Sequence, residues 1–505
     1  MFIDIRSLPP EEQINTDLAI IGAGAAGISM ARALRGTGIR IALLESGGLE
    51  FSETAQALAA GDLGEQNYAP LDQARIRAFG GTTWHWGGWC RELDAIDFES
   101  RDFVPLSGWP ITKENLSGYY AAARRLLQLD PLSEDDPYAY ARRFGLALPM
   151  AKDAPIEPCL FAMSPPTNFG QVYFADIDKA PNITVYLNAT VTALNAAEDA
   201  QSIRTLTISR EGAPPLELSA RNIVLACGGI DNARLLLVSD EIVQGGIGNG
   251  ADNVGRYFAD HAVPMGYAAL LAISRDAFAA PLFEERIDGT RRWRLAFNPS
   301  ERARRENKLV STLITVEPSA IRFDRETKKF TEWFEAWYGN KERAELIAAL
   351  HAQADGPLTL HPLNAGLETR PNRESRVTLT GKRDALGMRK PKLDWRLSDD
   401  DLKDYRTALA MLAQSFGGKA IAYLQPHMAD RFPQDIAWGH HHMGTTRMGD
   451  DPATSVVDAE CRVHGMRNLW IAGSSVFPTY GAANPTITIV ALALRLAERL
   501  KREFA

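Results

Sequence analysis

The sequence is poor in several features that would place it in a specialised class of protein. Its 505 residues contain four cysteines and no C-x-x-C pair, which argues against a disulfide framework and against a zinc ribbon. No stretch reaches the ~18 uninterrupted apolar residues of a membrane-spanning helix. The chain has no low-complexity tract and no internal repeat. These absences leave an ordinary globular protein, and at roughly 150 residues per domain the length predicts two to four domains.

An excess of basic residues is also missing. The chain has 55 Lys and Arg against 63 Asp and Glu, which gives a net charge of −8. Nucleic acids and anionic membrane surfaces attract cationic proteins, so neither is expected as a partner. The first residues, MFIDIRSLPPEEQINTD, lack the cationic stretch followed by an apolar run that marks a secretory signal. We therefore expect a cytoplasmic protein without a membrane span.

The clearest motif stands near the start of the chain. The apolar run DLAII at 17–21 precedes GAGAAG, an Ala-, Leu- and Arg-rich stretch follows, and the apolar run IRIALL at 39–44 leads to a glutamate. Short apolar runs on both sides of a helix-forming stretch are typical of strands, and the glycines mark a turn. This order predicts a strand, a glycine turn, a helix and a second strand.

The three glycines of this turn have separate predicted roles. Gly22 permits the tight turn, Gly24 lets a pyrophosphate approach the backbone, and Gly27 allows close packing of the helix on the strand. The helix N-terminus then faces the phosphates, and Glu45 at the end of the second strand can bind ribose hydroxyls. We predict a dinucleotide site; a purely structural turn is the alternative. Because we find no second turn of this kind, one tightly bound flavin fits better than a flavin plus a nicotinamide.

Further motifs lie in the last 70 residues and in a Trp-rich loop. They are H-x-x-G-T at 441–445, the turn at 456–458, the strand NLWIAGSSVFP at 468–478, Asn-Pro-Thr at 484–486, which opens the last helix, and GGTTWHWGG at 80–88. Together they resemble the glucose–methanol–choline (GMC) FAD-dependent oxidoreductases. ACGGIDNARLLL, NVGRYFADH and SRVTL…DALG resemble further segments of that family, so the resemblance extends over nearly the whole chain.

The resemblance implies an α/β fold with two domains. One is a doubly wound, Rossmann-like FAD-binding domain, and the other is a substrate domain with a mostly antiparallel sheet and helices. We predict that the FAD-binding domain is discontinuous and comprises residues 1–110, 168–262 and 432–505. The substrate-binding domain then comprises residues 111–167 and 263–431.

The resemblance also implies which residues contact FAD. The loop at 80–88 is similar to the family's flavin-contacting loop, and Val191 lies where the family's backbone contacts adenine. Some members of the pyranose-oxidase branch attach FAD covalently through the histidine at the position of His85, and others bind it non-covalently. We expect non-covalent binding here, with a covalent link through His85 as the alternative. Outside the glycine turn, the predicted contacts are Gly81, Thr82, His85, Trp86, Gly87, Val191, Gly473, Ser474, Asn484 and Thr486.

Removing a hydride from an alcohol carbon requires a group that accepts the hydroxyl proton. Neutral imidazole suits this role, because its ordinary pKa is about 6.5. Three of the nine histidines stand together at 440–442. The family's base lies three residues before the glycine of its G-T pair, which implies His441; a shift of one residue in the register would select His440 instead. The resemblance implies Asn484 as the partner, an amide that can both donate to and accept from one substrate hydroxyl.

Other interpretations of these residues stay open. A histidine triplet can also be structural or bind a metal, but no cysteine or carboxylate lies near it at ligand spacing, so we expect no metal site. Asn484 and Pro485 are also typical of the N-cap and the first residue of a helix. On a local extended strand, His442 would point to the opposite side from His441.

Within the family, Trp84-His85-Trp86 and YGAANPT look most like the pyranose-oxidase branch, especially its bacterial members that oxidise sugars or glycosides at C2 or C3. The resemblance implies FAD-dependent oxidation of a secondary hydroxyl of a sugar or glycoside to the ketone. Oxygen or another electron acceptor then reoxidises the flavin. The alternatives are a GMC enzyme for a non-sugar alcohol, a flavin lyase, and a flavin-holding sensor. The sequence does not determine the sugar, the carbon, the acceptor or the oligomeric state.

Overall fold

The computed structural model describes most of the chain. The described residues are 1–129, 136–148, 150, 153–264, 268–272, 282–288, 291–318, 321–323, 358–416, 420–424, 432 and 436–504, with scattered positions between 329 and 345.

The described residues form strands and helices throughout. In chain order the strands are β1 (Phe2–Asp4), β2 (Gln13–Ile21), β3 (Ile41–Leu44), β4 (Asp62–Leu63), β5 (Trp89–Cys90), β6 (Ile156–Met163), β7 (Ile183–Leu187), β8 (Thr190–Ala196), β9 (Ile203–Arg210), β10 (Ala213–Leu225), β11 (Ala262–Val263), β12 (Ala268–Ala272), β13 (Arg286–Asp288), β14 (Arg291–Pro299), β15 (Thr312–Val316), β16 (Ile321–Phe323), β17 (Leu358–Leu367), β18 (Arg376–Arg383), β19 (Arg389–Asp394), β20 (Ala420–Leu424), β21 (Ala437–Trp438) and β22 (Leu469–Ile471). The α-helices are α1 (Ala25–Ala33), α2 (Glu53–Ala57), α3 (Ala95–Phe98), α4 (Ser117–Leu126), α5 (Pro137–Arg143), α6 (Phe169–Val172), α7 (Phe174–Asp178), α8 (Gly228–Val238), α9 (Glu301–Asn307), α10 (Asp399–Ser415) and α11 (Thr486–Glu503).

The first sheet is built mainly of parallel strands. Its order is β1–β7–β3–β2–β10, and all these neighbours run parallel. Strand β22 pairs in parallel with the C-terminal part of β10, while β9 and β8 extend the sheet in antiparallel fashion. The central strands are apolar and buried over 18–21 and 41–44, as expected for parallel strands covered by helices on both faces. The predicted doubly wound α/β sheet is confirmed.

The second sheet is antiparallel. Its order is β20–β12–β17–β15–β14–β6–β5, and β11, β13, β16 and β21 pair at its margins. Within the described ranges, every pairing in it is antiparallel, which confirms the sheet type predicted for the substrate domain. A third, smaller sheet joins the antiparallel hairpin β18–β19 to β4.

The predicted domain boundaries stay a prediction, but the pairings show where segments of the chain pass between the sheets. Strands β5 and β21 lie in stretches predicted for the FAD-binding domain, and β11 crosses the predicted boundary at 262. All three pair within the antiparallel sheet. Most of 324–357, which falls in the predicted substrate domain, lies outside the described residues.

Helix α11 is the long C-terminal helix. It begins at Thr486, within the Asn-Pro-Thr motif that was predicted to open it, and it contacts α1 and α4. Its buried residues include Ile487, Val490 and Leu496, while its last turn carries Lys501 and Arg502. This contact with α1 holds the segment just before α11 close to the glycine turn. Within the described ranges, no helix is both long enough and apolar enough to cross a lipid bilayer.

Candidate active site

A cavity of about 470 Å³ lies at the carboxyl ends of the parallel strands. Its wall includes Ile21, Leu44, Ala226 and Ala472, which end or directly follow β2, β3, β10 and β22. Ligands of doubly wound sheets bind at this edge, because the connecting loops and helix N-termini meet there. The cavity is therefore the place to look for the predicted site residues.

The glycine turn between β2 and α1 forms part of the cavity wall. Gly22 has a φ of +105°, and a Cβ there would lie 2.5 Å from the carbonyl oxygen of Ala226, so only glycine fits. A Cβ on Gly27 would lie 1.9 Å from the oxygen of Gly22, which explains the close packing of α1. Gly24 lines the cavity, and a Cβ there would meet nothing within 4 Å. The turn thus leaves open space beside the N-terminus of α1, as a pyrophosphate would require.

Glu45 lies in the same wall, where β3 ends. Its Oε2 accepts the backbone N–H of Ala23 at 3.0 Å, and its Oε1 accepts that of Gly47 at 2.9 Å. Burial raises the pKa of Glu45, while these two hydrogen bonds and the nearby Arg77 oppose the rise. Each carboxylate oxygen keeps a further lone pair, so the oriented side chain can still accept hydrogen bonds from hydroxyl groups of a ligand.

The structure brings the other predicted contacts to the same cavity. A Cβ on Gly81 would lie 2.9 Å from the Cα of Gly24, so the Trp-rich loop packs directly on the glycine turn. Gly27 is the one predicted contact that does not line the cavity. The lining includes Gly22, Gly24, Glu45, Gly81, Thr82, His85, Trp86, Gly87, Val191, Gly473, Ser474, Asn484 and Thr486, together with His440 and His441.

His441 lies between two side chains that contact its two ring nitrogens. Its Nε2 is 3.2 Å from Nδ2 of Asn484, and its Nδ1 is 2.8 Å from Nδ1 of His261. The Nε2 of His261 is in turn 2.9 Å from the carbonyl oxygen of Gly481. The two imidazole planes are nearly perpendicular, at 89°. His441 is thus fixed in orientation, and its Nε2 lies beside the amide of Asn484, another residue of the cavity wall.

Asp260 holds the loop that presents these histidines. Its Oδ1 accepts the backbone N–H of His441 at 2.8 Å, and its Oδ2 accepts that of His440 at 3.1 Å and the hydroxyl of Tyr68 at 2.5 Å. Burial raises the pKa of Asp260 to about 7, and the hydrogen bonds to the carboxylate oppose this rise. His440 has a φ of +58°, which a residue other than glycine keeps only where its surroundings hold it. The hydrogen bond from the backbone N–H of His440 to Asp260 stabilises this conformation.

Burial keeps the imidazoles of this cluster neutral. It lowers the pKa of His261 to about 4 and that of His442 to about 3. Burial, with a smaller contribution from His261, also holds the pKa of His441 well below its ordinary value of 6.5. Near neutral pH, His441 is therefore in the form that can accept a proton from a hydroxyl group.

Two sequence-based expectations about these residues are wrong. Residues 440–442 form no strand, because His440 adopts the left-handed conformation, so the alternation expected for His442 does not apply. His442 is buried instead, with its ring centroid 5.7 Å from that of Phe258 and 6.1 Å from that of Tyr68. The N-cap of α11 is Pro485 rather than Asn484, whose side chain reaches His441.

Sequence reasoning missed the residues that support the cluster. Asp260 and His261 end the segment NVGRYFADH, which was noted only as a family segment, and two adjacent titratable residues were the signal available there. Tyr68 carries no such signal, because it stands in a loop-like stretch. Arg75 and Asp231 were missed as well; they form a partly buried ion pair in the cavity wall.

Comparisons with known proteins indicate the family of this chain. The family profile described as GMC oxidoreductase matches residues 371–493, which include His441 and Asn484. The 6'''-hydroxyparomomycin C oxidase of Streptomyces lividus is 25% identical over 548 residues, covering 97% of this chain and 92% of that protein. A C-glycoside 3-oxidase of Arthrobacter globiformis is 34% identical over 133 residues, covering 26% of this chain and 25% of that protein. Residues 371–493 of this chain are thus a GMC oxidoreductase C-terminal domain.

A solved structure shows the same fold over nearly the whole length of this chain. Pyridoxine 4-oxidase from Mesorbium loti superposes with a TM-score of 0.58, covering 97% of this chain and 99% of its own. The two sequences are 16% identical, so this likeness concerns the fold alone. The expected family and fold class are confirmed.

The protein is an FAD-dependent oxidoreductase that acts on CH–OH groups. The cavity fits this cofactor on independent grounds. The space beside Gly24 lies at the N-terminus of α1, Glu45 offers acceptors, and Gly473 has a φ of +112° with nothing within 4 Å of an added Cβ. Backbone without side chains on both sides of the cavity leaves room for a large flat ligand. Among the described residues, no group of three or more His, Cys, Asp or Glu side chains is placed to hold a metal ion.

Proposed function

We propose that this GMC oxidoreductase oxidises a secondary hydroxyl group of a sugar or glycoside, at C2 or C3, to the ketone. The names of its relatives support a carbohydrate substrate, since they include a C-glycoside 3-oxidase and a 6'''-hydroxyparomomycin C oxidase. The single observation that carries the proposal is the pairing of His441 with Asn484 in the wall of the cavity that fits FAD.

The pair suggests how the substrate hydroxyl is held and deprotonated. Asn484 donates to the hydroxyl oxygen, and Nε2 of His441 accepts the proton, since a hydroxyl bound beside this pair reaches both groups. When bound, the flavin supplies the acceptor for the hydride that leaves the same carbon. His441 keeps the proton as an imidazolium while its Nδ1–H stays directed at His261.

The geometry favours His441 over His440 as the base. Nε2 of His440 accepts the indole N–H of Trp438 at 3.1 Å, and His440 is exposed. Within the described residues, Nδ1 of His440 has no contact comparable to those that His261 and Asn484 make with the ring nitrogens of His441. The alternative assignment of His440 as the base, from a register shifted by one residue, is therefore less well supported.

We propose that different parts of the cavity wall bind different parts of FAD, as the resemblance implies. Glu45 accepts hydrogen bonds from ribose hydroxyls, the backbone at Gly24 faces the pyrophosphate, and the backbone of Val191 contacts adenine. His85 then contacts the flavin without a covalent link. Acid precipitation tests this last point: we expect the yellow colour in the supernatant, and colour retained in the pellet of the wild type but not of His85→Ala would show a covalent link.

The proposed partners are the sugar or glycoside and an electron acceptor, which is oxygen or another molecule. Turnover with oxygen, compared with turnover with a quinone or a dye at equal sugar concentration, distinguishes an oxidase from a dehydrogenase. A cytoplasmic location remains our expectation, and all four cysteines are unpaired in the structure.

An anaerobic substrate panel tests the proposed function directly. The purified protein is mixed with pyranoses, glycosides, and sterol and aromatic alcohols, and bleaching of the flavin absorbance is recorded. We expect bleaching by pyranoses or glycosides, and little by His441→Ala with the same compounds. Bleaching by the non-sugar alcohols alone would contradict the substrate class, and no bleaching at all would favour a non-redox flavin protein.

A further inference from the structure

We propose that His261 is a positioning residue that selects the tautomer of His441: it keeps the ring proton of His441 on Nδ1 and leaves Nε2 free to accept the substrate proton. The inference rests on the proposed role of His441 as the base. It follows from a chain of three hydrogen-bonding groups that ends on a backbone carbonyl.

The chain of hydrogen bonds ends at Gly481. Its carbonyl oxygen can only accept a hydrogen bond, so Nε2 of His261, at 2.9 Å, must carry a proton. His261 is fully buried beside Tyr480, and burial lowers its pKa to about 4, so the ring is neutral near pH 7. A neutral imidazole carries one ring proton, and therefore Nδ1 of His261 has only a lone pair.

That lone pair determines which ring nitrogen of His441 carries the proton. The two Nδ1 atoms are 2.8 Å apart, and a contact between two ring nitrogens at this distance needs one proton between them. Since Nδ1 of His261 has none, Nδ1 of His441 must supply it. The neutral ring of His441 then has its lone pair on Nε2, the nitrogen that lies beside Asn484.

Asn484 is placed consistently with this tautomer. Its amide nitrogen, rather than its oxygen, faces Nε2 of His441 at 3.2 Å, so the amide donates to the lone pair. If Nε2 carried the proton, that contact would set two donors against each other. The orientation of Asn484 is thus consistent with Nε2 as the acceptor.

The hydrogen bonds from His441 through His261 to Gly481 cannot carry the proton away. Gly481 offers only a carbonyl oxygen, and its N–H is held by Oε1 of Glu368 at 3.1 Å, so no group there takes up a proton. A proton that His441 accepts on Nε2 must therefore leave from Nε2 as well, through the cavity. His261 acts as an acceptor that orients and stabilises the imidazolium, and the pair does not form a relay to the surface.

Backbone packing explains why the pair keeps its geometry. A Cβ on Gly439 would lie 2.9 Å from Nδ1 of His441 and 3.2 Å from Cβ of His261, so the contact needs glycine there. A Cβ on Gly481 would lie 2.2 Å from Oδ2 of Asp97, so Asp97 packs closely on the backbone that carries the final carbonyl. At both positions the absence of a side chain allows the close packing around the pair.

Nitrogen NMR of the holoenzyme tests the tautomer without measuring activity. The FAD-loaded protein is prepared with ring-¹⁵N histidine, and long-range ¹H–¹⁵N correlations are recorded near pH 7, with His441 assigned by its loss in His441→Gln. We expect a protonated Nδ1 and an unprotonated Nε2. The reverse pattern, or averaged shifts for the two nitrogens, would overturn the proposal.

Two matched variants test the role of His261. His261→Asn places an amide oxygen near the position of Nδ1, where it can accept from His441. His261→Gln, one methylene longer, can still donate to Gly481 but leaves Nδ1 of His441 without an acceptor. We expect flavin reduction to slow by about 10- to 100-fold in His261→Gln, the effect of leaving a buried donor unsatisfied, and by less than about 5-fold in His261→Asn.

The outcomes separate the possible explanations. If His261 only supports the backbone at Gly481, His261→Asn will be the slower variant; equal losses would also contradict the tautomer role. FAD content and melting temperature are measured in both variants, and the wild-type spectrum decides the tautomer even if neither folds. If His441→Ala reduces flavin normally, the proposed function fails, whereas the spectrum still reports which nitrogen carries the proton.

Discussion

The glycine turn and the histidine cluster border the same cavity, yet the chain assembles them in opposite ways. The glycine turn with Glu45 comes from one continuous stretch of about 30 residues, strand β2 to the end of β3. The histidine cluster joins Tyr68, the pair at 260–261, the loop at 439–442 and the segment at 480–484. No two of these segments are neighbours in sequence.

This difference changes what each part depends on. In the glycine turn, short-range steric contacts such as that between Gly27 and the oxygen of Gly22 determine the geometry. In the histidine cluster, the geometry depends on hydrogen bonds across long sequence separations, such as that from His441 to Asp260. We therefore expect changes in the turn to affect FAD binding, and changes in the cluster to affect the reaction while FAD stays bound.

The largest expected effect is that of His441→Ala. FAD should remain bound, while the rate of flavin reduction should fall by about 10²–10⁴-fold, the usual contribution of a positioned general base. Substrate affinity should change less, because the lost interaction acts mainly in the transition state. Stopped-flow reduction with FAD content as the control measures both quantities.

The neighbouring histidines sharpen that test. His440→Ala and His442→Ala should each slow reduction far less, because His440 is exposed and His442 packs against Phe258 and Tyr68. A large loss in His440→Ala would show that the assigned register is off by one residue. If none of the three variants is slow, the proton acceptor lies elsewhere.

The next largest effect should come from Glu45→Ala. The variant removes both acceptors for ribose hydroxyls, and hydrogen bonds to a charged group are worth about 1.5–3 kcal/mol, so the Kd for FAD should rise by about 10- to 100-fold. Titration of the apoprotein with FAD measures this change. Glu11→Ala, which replaces an exposed glutamate, should leave the Kd unchanged. Normal FAD affinity in Glu45→Ala would contradict its predicted role.

Gly24→Ala should weaken FAD binding without unfolding the chain. The backbone at Gly24 is extended, with φ −86° and ψ −163°, so alanine is tolerated, but its methyl group enters the open space beside α1. Crowding of this kind costs about 1–3 kcal/mol, or about 5- to 100-fold in Kd. Gly118→Ala, in helix α4 with nothing within 4 Å, is the matched control and should not alter the Kd. An unchanged Kd in Gly24→Ala would place the pyrophosphate elsewhere.

The smallest expected effect is that of pH on the rate of flavin reduction, which should hardly change between pH 7.5 and 6. Because burial holds the pKa of His441 well below 6.5, its imidazole stays neutral as the pH falls through that value. Flavin reduction at saturating substrate should therefore change by less than about 2-fold between pH 7.5 and 6. An imidazole with the ordinary pKa would lose about 4-fold over this range. A loss of that size would show that His441 is more basic in the holoenzyme than in this structure, or that Asp260, whose pKa is about 7, alters the histidine cluster when it takes up a proton.

Much of the fold could be predicted from the sequence. The periodicity and the glycines predicted β2, α1 and β3, and Asn-Pro-Thr predicted the start of α11 to within one residue, because these signals act over a few residues. Short-range signals mislead where distant contacts compete with them. Asn484 looked like an N-cap, yet its side chain contacts His441, and the expected strand at 440–442 is absent because Asp260 holds His440 in a left-handed conformation.

The sequence by itself determined the glycine turn, the acidic residue that follows it, and, through family resemblance, which histidine and which asparagine to examine. The geometry of the glycine turn depends on steric contacts within one continuous segment, so the local sequence is enough to predict it. Only the tertiary structure decided that His261 contacts His441, that Gly481 ends the chain of hydrogen bonds, and that Asp260 holds the loop. These contacts join segments up to hundreds of residues apart, and the protonation of a buried imidazole depends on the partners that folding brings to it.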